Sequence, residues 1–234
     1  MHLPPTPSAA CPSAAGVLWA AIVAEVSAAM PFGPTLHLPS DSLAFAAARP
    51  GMLTTAAAPE PAALCVCTAE ALPFPADTFA CAVGFDVLGH ARHPARMLAE
   101  AERVLAPGGR LVLMEPWTGA VGRLYHRVHG HRRVVSGLDP WFDSGTANAA
   151  APRACLVENA DELYRHAPAL VLVEVRPFGG LGEFLATRRR PDATALARHL
   201  ARLNALPTPL RRLLNGWLAT RALCVLEKRR PLEG

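Results

Sequence analysis

Glycine is missing where it would be most useful. The chain has 17 glycines, yet none falls between Pro34 and Gly51, a stretch that begins as a buried strand (Thr35 to Leu38) and runs into a turn and a helix-like segment. Other absences are simpler to read. No apolar run approaches the roughly 20 residues of a membrane span, which removes a spanning segment. The apolar stretch VLWAAIVAEVSAAM carries Glu25 and has no Lys or Arg upstream, so it reads as an amphipathic helix and not as a signal segment. Aromatics make up 6% of the chain, too few for a platform on which nucleic-acid bases stack. The net charge of +4 is too small to indicate nucleic acid by itself. Lysine occurs once, at Lys228, against many arginines and alanines, a bias that looks like a high-GC bacterial genome.

No cysteine pair has CxxC or zinc-finger spacing among the six at positions 11, 65, 67, 81, 155 and 224. Cys65 and Cys67 share one face of a strand. They read either as a metal or redox pair or as small buried hydrophobes, and the second is the simpler reading. No disulfide framework means a reducing cytoplasm is the expected compartment.

What is present describes a folded α/β chain. Hydrophobic residues make up 51% and charged residues 18%, a globular balance. Residues 1–15, rich in Pro, Ser and Ala, are expected to be disordered. The remainder, 16–234, is expected to form one domain. Helical spacing predicts a helix over Gly16 to Met30 and a brief one over Leu43 to Ala48. Short strands are predicted over Met52 to Thr55 and Ala63 to Cys67. A buried strand follows from Ala80 to Leu88. In ARHPARMLAEAERVL, Pro94 suits a first turn and Met97, Leu98, Ala101, Val104 and Leu105 form one apolar stripe. Pro107-Gly108-Gly109 ends it in a left-handed turn, and RLVLMEP is the next strand. Periodicity loosens from Trp117 to about Pro152. Beyond it, ENADELYRHAP, Leu196 to Leu203 and Leu210 to Leu218 read as helices, ALVLVEVRPF and Arg221 to Lys228 as strands, the last two forming a hairpin-like addition at one edge. Strands alternating with helices imply a parallel sheet with right-handed crossovers.

The run ALPFPADTFACAVGFDVLGHARHPARMLAEAERVLAPGGRLVLMEP, Ala71 to Pro116, resembles the class I S-adenosylmethionine-dependent methyltransferases of the type 11 group. Three parts carry the match: AEALPF, DVLGH and ERVLAPGGRLVLMEP. Each alone is a weak signal; together they are specific, and the similarity extends in register over roughly residues 18 to 228. The resemblance implies a Rossmann-like, seven-stranded, mostly parallel sheet flanked by helices, with its last strand antiparallel. S-adenosylmethionine would lie over the carboxyl ends of the first strands.

The missing glycines now have a meaning. TLHLPSDSL falls where the family carries a motif like VLELGSGPG. His37 stands in place of the acid, and Pro39, Asp41 and Leu43 stand in place of the glycines that let backbone approach the ligand. Asp41 could favour the amino group and sulfonium or cap the next helix. The family's ribose-binding acid aligns with Ala56, its adenine-reading Asp with Thr68, followed by Ala69 and Glu70, and the Asp of its SFD segment with Ala80. Each lost charge-assisted hydrogen bond is worth about 1.5–3 kcal/mol. The pattern therefore predicts an eroded cofactor site on a retained fold.

In an active enzyme His90 would serve as general base or orient an acceptor, and Glu115 and Asp86 would face the same mouth. The plainer readings are a loop histidine and strand-end carboxylates satisfied by backbone amides. GRLYHRVHGHRR, Gly122 to Arg133, gathers His126, His129 and His131 with four arginines. At i, i+3 and i+5 these histidines do not share one helix face. No metal site is expected; an anion patch is an alternative, and a solvated basic segment over the site is the default. TRRRP, Thr187 to Pro191, reads as a charged helix end or loop. Two functions follow. One is a non-catalytic binding or regulatory module, pairing with an active methyltransferase or another enzyme. The other is a working methyltransferase with an altered cofactor pose and a small-molecule acceptor. Neither nucleic acid nor a membrane is an expected partner.

Overall fold

The computed structural model describes residues 13–39, 52–56, 58, 63–129, 139, 141, 148–187 and 192–231. Seven strands form one sheet: β1 (Thr35–His37), β2 (Leu53–Ala56), β3 (Cys65–Val66), β4 (Phe79–Phe85), β5 (Leu105–Pro116), β6 (Leu170–Phe178) and β7 (Arg221–Lys228). Their order is β3-β2-β1-β4-β5-β7-β6. β1 to β5 pair in parallel. β7 inserts antiparallel between β5 and β6. This is the Rossmann-like, mostly parallel sheet with an antiparallel last strand that the resemblance implies.

Alternation along the central strands builds two cores. Cys81, Val83, Phe85, Val112, Met114, Leu223 and Val225 face α1 (Ala14–Ala29), which buries Ile22 and Val26 against them. Side chains of that size contribute about 1.5–3 kcal/mol each when fully buried. Ala82, Leu111, Leu113 and Cys224 point the other way, onto α2 (Pro94–Val104), whose Met97, Leu98, Ala101 and Val104 are all buried. Four of the five residues of the stripe read from sequence pack in this way; the fifth, Leu105, is buried too but opens β5, because the helix ends at Val104.

α2 is also tied to the LPF loop. Glu100 Oε2 accepts from Leu72 N–H at 2.8 Å, while the Arg103 guanidinium donates to the carbonyls of Leu72 and Phe74 and to Glu100. After α2 the chain enters β5 at once, and the β4–β5 register slips between Phe79 and Cys81 to absorb Ala106 to Gly109. Gly108 takes φ +79 there, as the expected left-handed turn requires.

Two expectations need correction. Residues 14 and 15 are helical, because Ser13 Oγ accepts from Gly16 N–H and starts α1 earlier than its apolar pattern does. The stretch after Trp117 is not irregular throughout: α3 (Ala120–His129) opens it. Beyond lie α4 (Ala151–Arg153), running on as a π-helix over Ala154–Glu158, then α5 (Ala160–His166), α6 (Gly182–Ala186), α7 (Ala193–Ala205) and α8 (Thr208–Leu218). Residues 1–12, the helix expected over 43–48, and 188–191 lie outside the described residues. No helix among the described residues is long and apolar enough to cross a membrane.

Candidate functional site

The carboxyl ends of β1, β2, β4 and β5 share one edge, the place where doubly wound sheets bind ligands. At β1 the chain leaves the sheet through His37, Leu38 and Pro39, all buried. The His37 ring stacks on Phe85 with centroids 6.2 Å apart, and its carbonyl accepts from Thr55 Oγ1 at 2.8 Å. His37 thus sits in the core of the sheet. At β2 the last residue is Ala56, 3% exposed, whose methyl group brings no charge to the strand end. Asp41 and Leu43 lie outside the described residues.

The third strand leads to Thr68, exposed and bridged to Ala71, and to Ala69, buried. Glu70 Oε1 accepts from His93 N–H at 2.9 Å and so holds the residue before α2. Ala80 lies within β4 and has no charge to offer. Burial pushes the Cys67 thiol up to about 11, opposed by its hydrogen bond with Thr55 and reinforced by Cys65. Among the described residues no group of three or more His, Cys, Asp or Glu could hold a metal ion.

The loop after β4 is fixed from three sides. Asp86 takes φ +58, in the left-handed region; its N–H donates to the Met114 carbonyl at 3.0 Å, and its carboxylate accepts from both terminal nitrogens of Arg221, at 2.8 and 3.4 Å. Glu115, 0% exposed, accepts from Leu88 N–H at 2.9 Å. Asn148 N–H donates to the Gly89 carbonyl at 2.8 Å. Asp86 and Glu115 therefore both brace the loop. His90 rides on it, exposed to solvent.

Arg221 is the centre of a charged cluster that sequence reasoning missed. Its Nε donates to Glu183, in α6, while its terminal nitrogens hold Asp86. Burial opposes the charge, but the carboxylates of Glu183 and Asp86 outweigh it and hold the guanidinium above its ordinary pKa. Tyr125 lies close enough for its pKa to be raised by burial and by Glu183. His126, expected in a solvated segment, is 6% exposed instead, and its Nε2–H donates to the Thr220 carbonyl at 2.9 Å. Burial lowers its pKa. The side chain of His129 and all of His131 are outside the described set, so of this segment's three histidines only the His126 side chain is described.

Comparison with known proteins agrees with this geometry at the level of fold. Residues 46–113 match the family model described as a methyltransferase domain. No curated protein matches the chain by sequence. Among solved structures, the chain is similar to a possible histamine N-methyltransferase, S-adenosylmethionine-dependent, from Thermotoga maritima, at 14% identity and TM-score 0.58, covering 92% of this chain and 90% of that one. It is similar to the YcgJ protein of Bacillus subtilis at 15% identity and TM-score 0.51, covering 91% and 99%. It is also similar to a putative methyltransferase from Haloferax volcanii, solved in complex with the Trm112 methyltransferase activator, at 17% identity and TM-score 0.50, covering 88% of each chain.

Proposed function

We propose that this chain, which carries the class I methyltransferase fold, is a non-catalytic binding or regulatory module whose cofactor cleft has lost its grip on S-adenosylmethionine. The observation that carries this reading is the pair of strand ends: β1 leaves through buried His37, Leu38 and Pro39, and β2 stops at Ala56. A ligand with ribose hydroxyls and a methionyl tail needs a carboxylate at the second and backbone in close approach at the first. The described residues at these two strand ends do not fit it. Elsewhere on the edge the acids serve the fold, Glu70 holding His93, Glu115 holding Leu88 and Asp86 paired with Arg221.

Loss of two or three such contacts weakens binding about a thousandfold. The fold around them is kept, which suits a protein that presents surfaces instead of turning over a cofactor. Its partner would be an active methyltransferase or another enzyme, in a reducing cytoplasm. The Haloferax volcanii protein, solved with an activator, supports a partnered role for this fold. Thermal denaturation with millimolar S-adenosylmethionine tests the reading. A ligand held at 100 times its Kd adds about 2.7 kcal/mol, or roughly 5–10 °C at this chain length. No shift is expected; a shift of that size overturns the proposal.

A second reading rests on His90, exposed on a loop braced by Asp86 and Glu115. In it the chain methylates a small-molecule acceptor, and His90 takes the acceptor's proton. Transfer of label from S-adenosylmethionine to small acceptors, lost in His90→Ala, would establish it.

A further inference from the structure

We propose that α3 and α8 together form a docking surface for an anionic membrane. Five large apolar side chains on these two helices face solvent: Leu124 is 58% exposed, Val128 64%, Leu210 43%, Leu213 60% and Trp217 62%. Their spacing is not scattered. Leu124 and Val128 are i, i+4 on α3, and Leu210, Leu213 and Trp217 are i, i+3, i+7 on α8, so each helix carries one apolar stripe pointing outward.

The helices are neighbours because small residues let them close up. A Cβ on Gly119 would come within 2.6 Å of the Gly216 carbonyl, and one on Gly122 within 2.9 Å of the Ala219 carbonyl. Both helices hang from the same edge of the sheet. α3 follows the end of β5 by way of Trp117 and Thr118, and α8 ends three residues before Arg221, which pairs with Pro116. The outward stripes therefore flank the side of the molecule where the His90 loop and the Arg221 cluster lie.

Charge selects the occupant. α3 carries Arg123 and Arg127, α8 carries Arg211 and Arg212, and neither helix contains an Asp or Glu. Arg123, Arg127 and Arg212 are exposed, and none forms an ion pair among the described residues. A second copy is a poor match, because a two-fold interface would set this patch against itself, arginine facing arginine. Four of the five apolar side chains are more than half exposed, whereas the anchors that hold protein partners sit in well-packed pockets. Leu, Val and Trp beside arginine, without acids, is the composition of a helix that lies in the headgroup layer. Trp217 suits that depth, and the guanidiniums meet lipid phosphates. The absence of a spanning helix does not bear on this mode of association. Nor does the inference depend on whether the cleft binds S-adenosylmethionine.

The test is co-sedimentation of the full chain with vesicles of phosphatidylcholine alone and of phosphatidylcholine mixed with phosphatidylglycerol. Binding is expected to the anionic vesicles only, and to fade as salt screens it. Arg127→Gln with Arg212→Gln lowers that binding about thirtyfold. Leu213→Ser with Trp217→Ser lowers it more than tenfold. These residues are exposed, so the variants keep the parent's circular dichroism and melting; Trp217→Phe, a milder change, keeps binding but loses the blue shift of tryptophan emission on vesicles. A folded parent that ignores anionic vesicles at low salt overturns the proposal. So does binding that survives both double variants, or a dimer in solution that Leu213→Ser with Trp217→Ser dissolves, which would assign the patch to a second copy. Retention on an acidic protein with no vesicle binding overturns it in favour of a protein partner.

Discussion

Arg221, the first residue of β7, reaches past the end of β5 to grip Asp86 at the tip of β4, with nitrogen–oxygen distances of 2.8 and 3.4 Å. Its Nε side is taken by Glu183. One guanidinium thus fastens the antiparallel strand, α6 and the loop carrying His90 to one another.

Removing that guanidinium leaves two largely buried carboxylates without their shared cation. Arg221→Gln is expected to destabilise the fold by about 3 kcal/mol, the usual consequence of breaking a buried pair from one side. Arg221→Lys recovers only part, since an ammonium cannot serve both partners with a planar fork. Urea denaturation of the three proteins measures it; equal stability of Arg221→Gln and the parent would contradict the cluster's role.

The pH dependence follows from His126. Its pKa is lowered by burial, so the folded state holds it neutral while the unfolded chain titrates near the ordinary 6.5. Below that value the unfolded state binds more protons, and the associated stability, present at higher pH, is lost as pH falls through 6.5 toward the folded pKa. His199, also lowered by burial, adds in the same direction. Stability measured between pH 7.5 and 5 should fall, and His126→Asn should flatten part of that fall.

Thiol reactivity should divide by burial. Cys155 and Cys224 are buried and their thiols are held well above the ordinary range by desolvation, with nearby carboxylates adding to it. Cys67, at about 11, is mostly protonated at pH 8. Alkylation of the native protein at that pH, read by mass spectrometry, should leave Cys155 and Cys224 untouched until denaturant is added. Prompt labelling of either would contradict the packing of β7 and the π-helix.

The elements that were legible are those where one pattern dominates. β4, α2 and β5 follow from period-2 and period-3.6 apolar spacing, and Gly108 from its turn. That β7 is antiparallel came only from family resemblance, and its place between β5 and β6 came from the fold, because pairing order leaves no local trace. α3 was missed since its contact face is made of Gly122, Tyr125 and His126, not an aliphatic stripe. α6 is only five residues long. The start of α7 was readable in principle: Asp192 accepts from Thr194 and Ala195 N–H, a cap plain in DATA. The Arg221 cluster was not, with partners 38 and 135 residues away. At the strand ends, His37 and Ala56 were readable in sequence, and a structural role for Glu115 was one of its two readings there; the duty of Glu70, which accepts from His93 N–H, emerged only from the fold.

Gly109 is the tightest point of the α2–β5 junction. A Cβ there would stand 2.8 Å from the Ala106 carbonyl and 3.0 Å from that of Phe79. Backbone on both sides cannot step aside, so Gly109→Ala should cost at least about 2 kcal/mol of stability, in line with overpacked cores. A variant that melts with the parent would show that the junction relaxes.

The central claim is that the cleft no longer holds the methyl donor, and calorimetric titration of S-adenosylmethionine into the full chain measures this directly. The account predicts no saturable heat up to millimolar ligand from protein that is folded by circular dichroism. A one-to-one isotherm with micromolar Kd would contradict it and return the chain to the working enzymes of its fold.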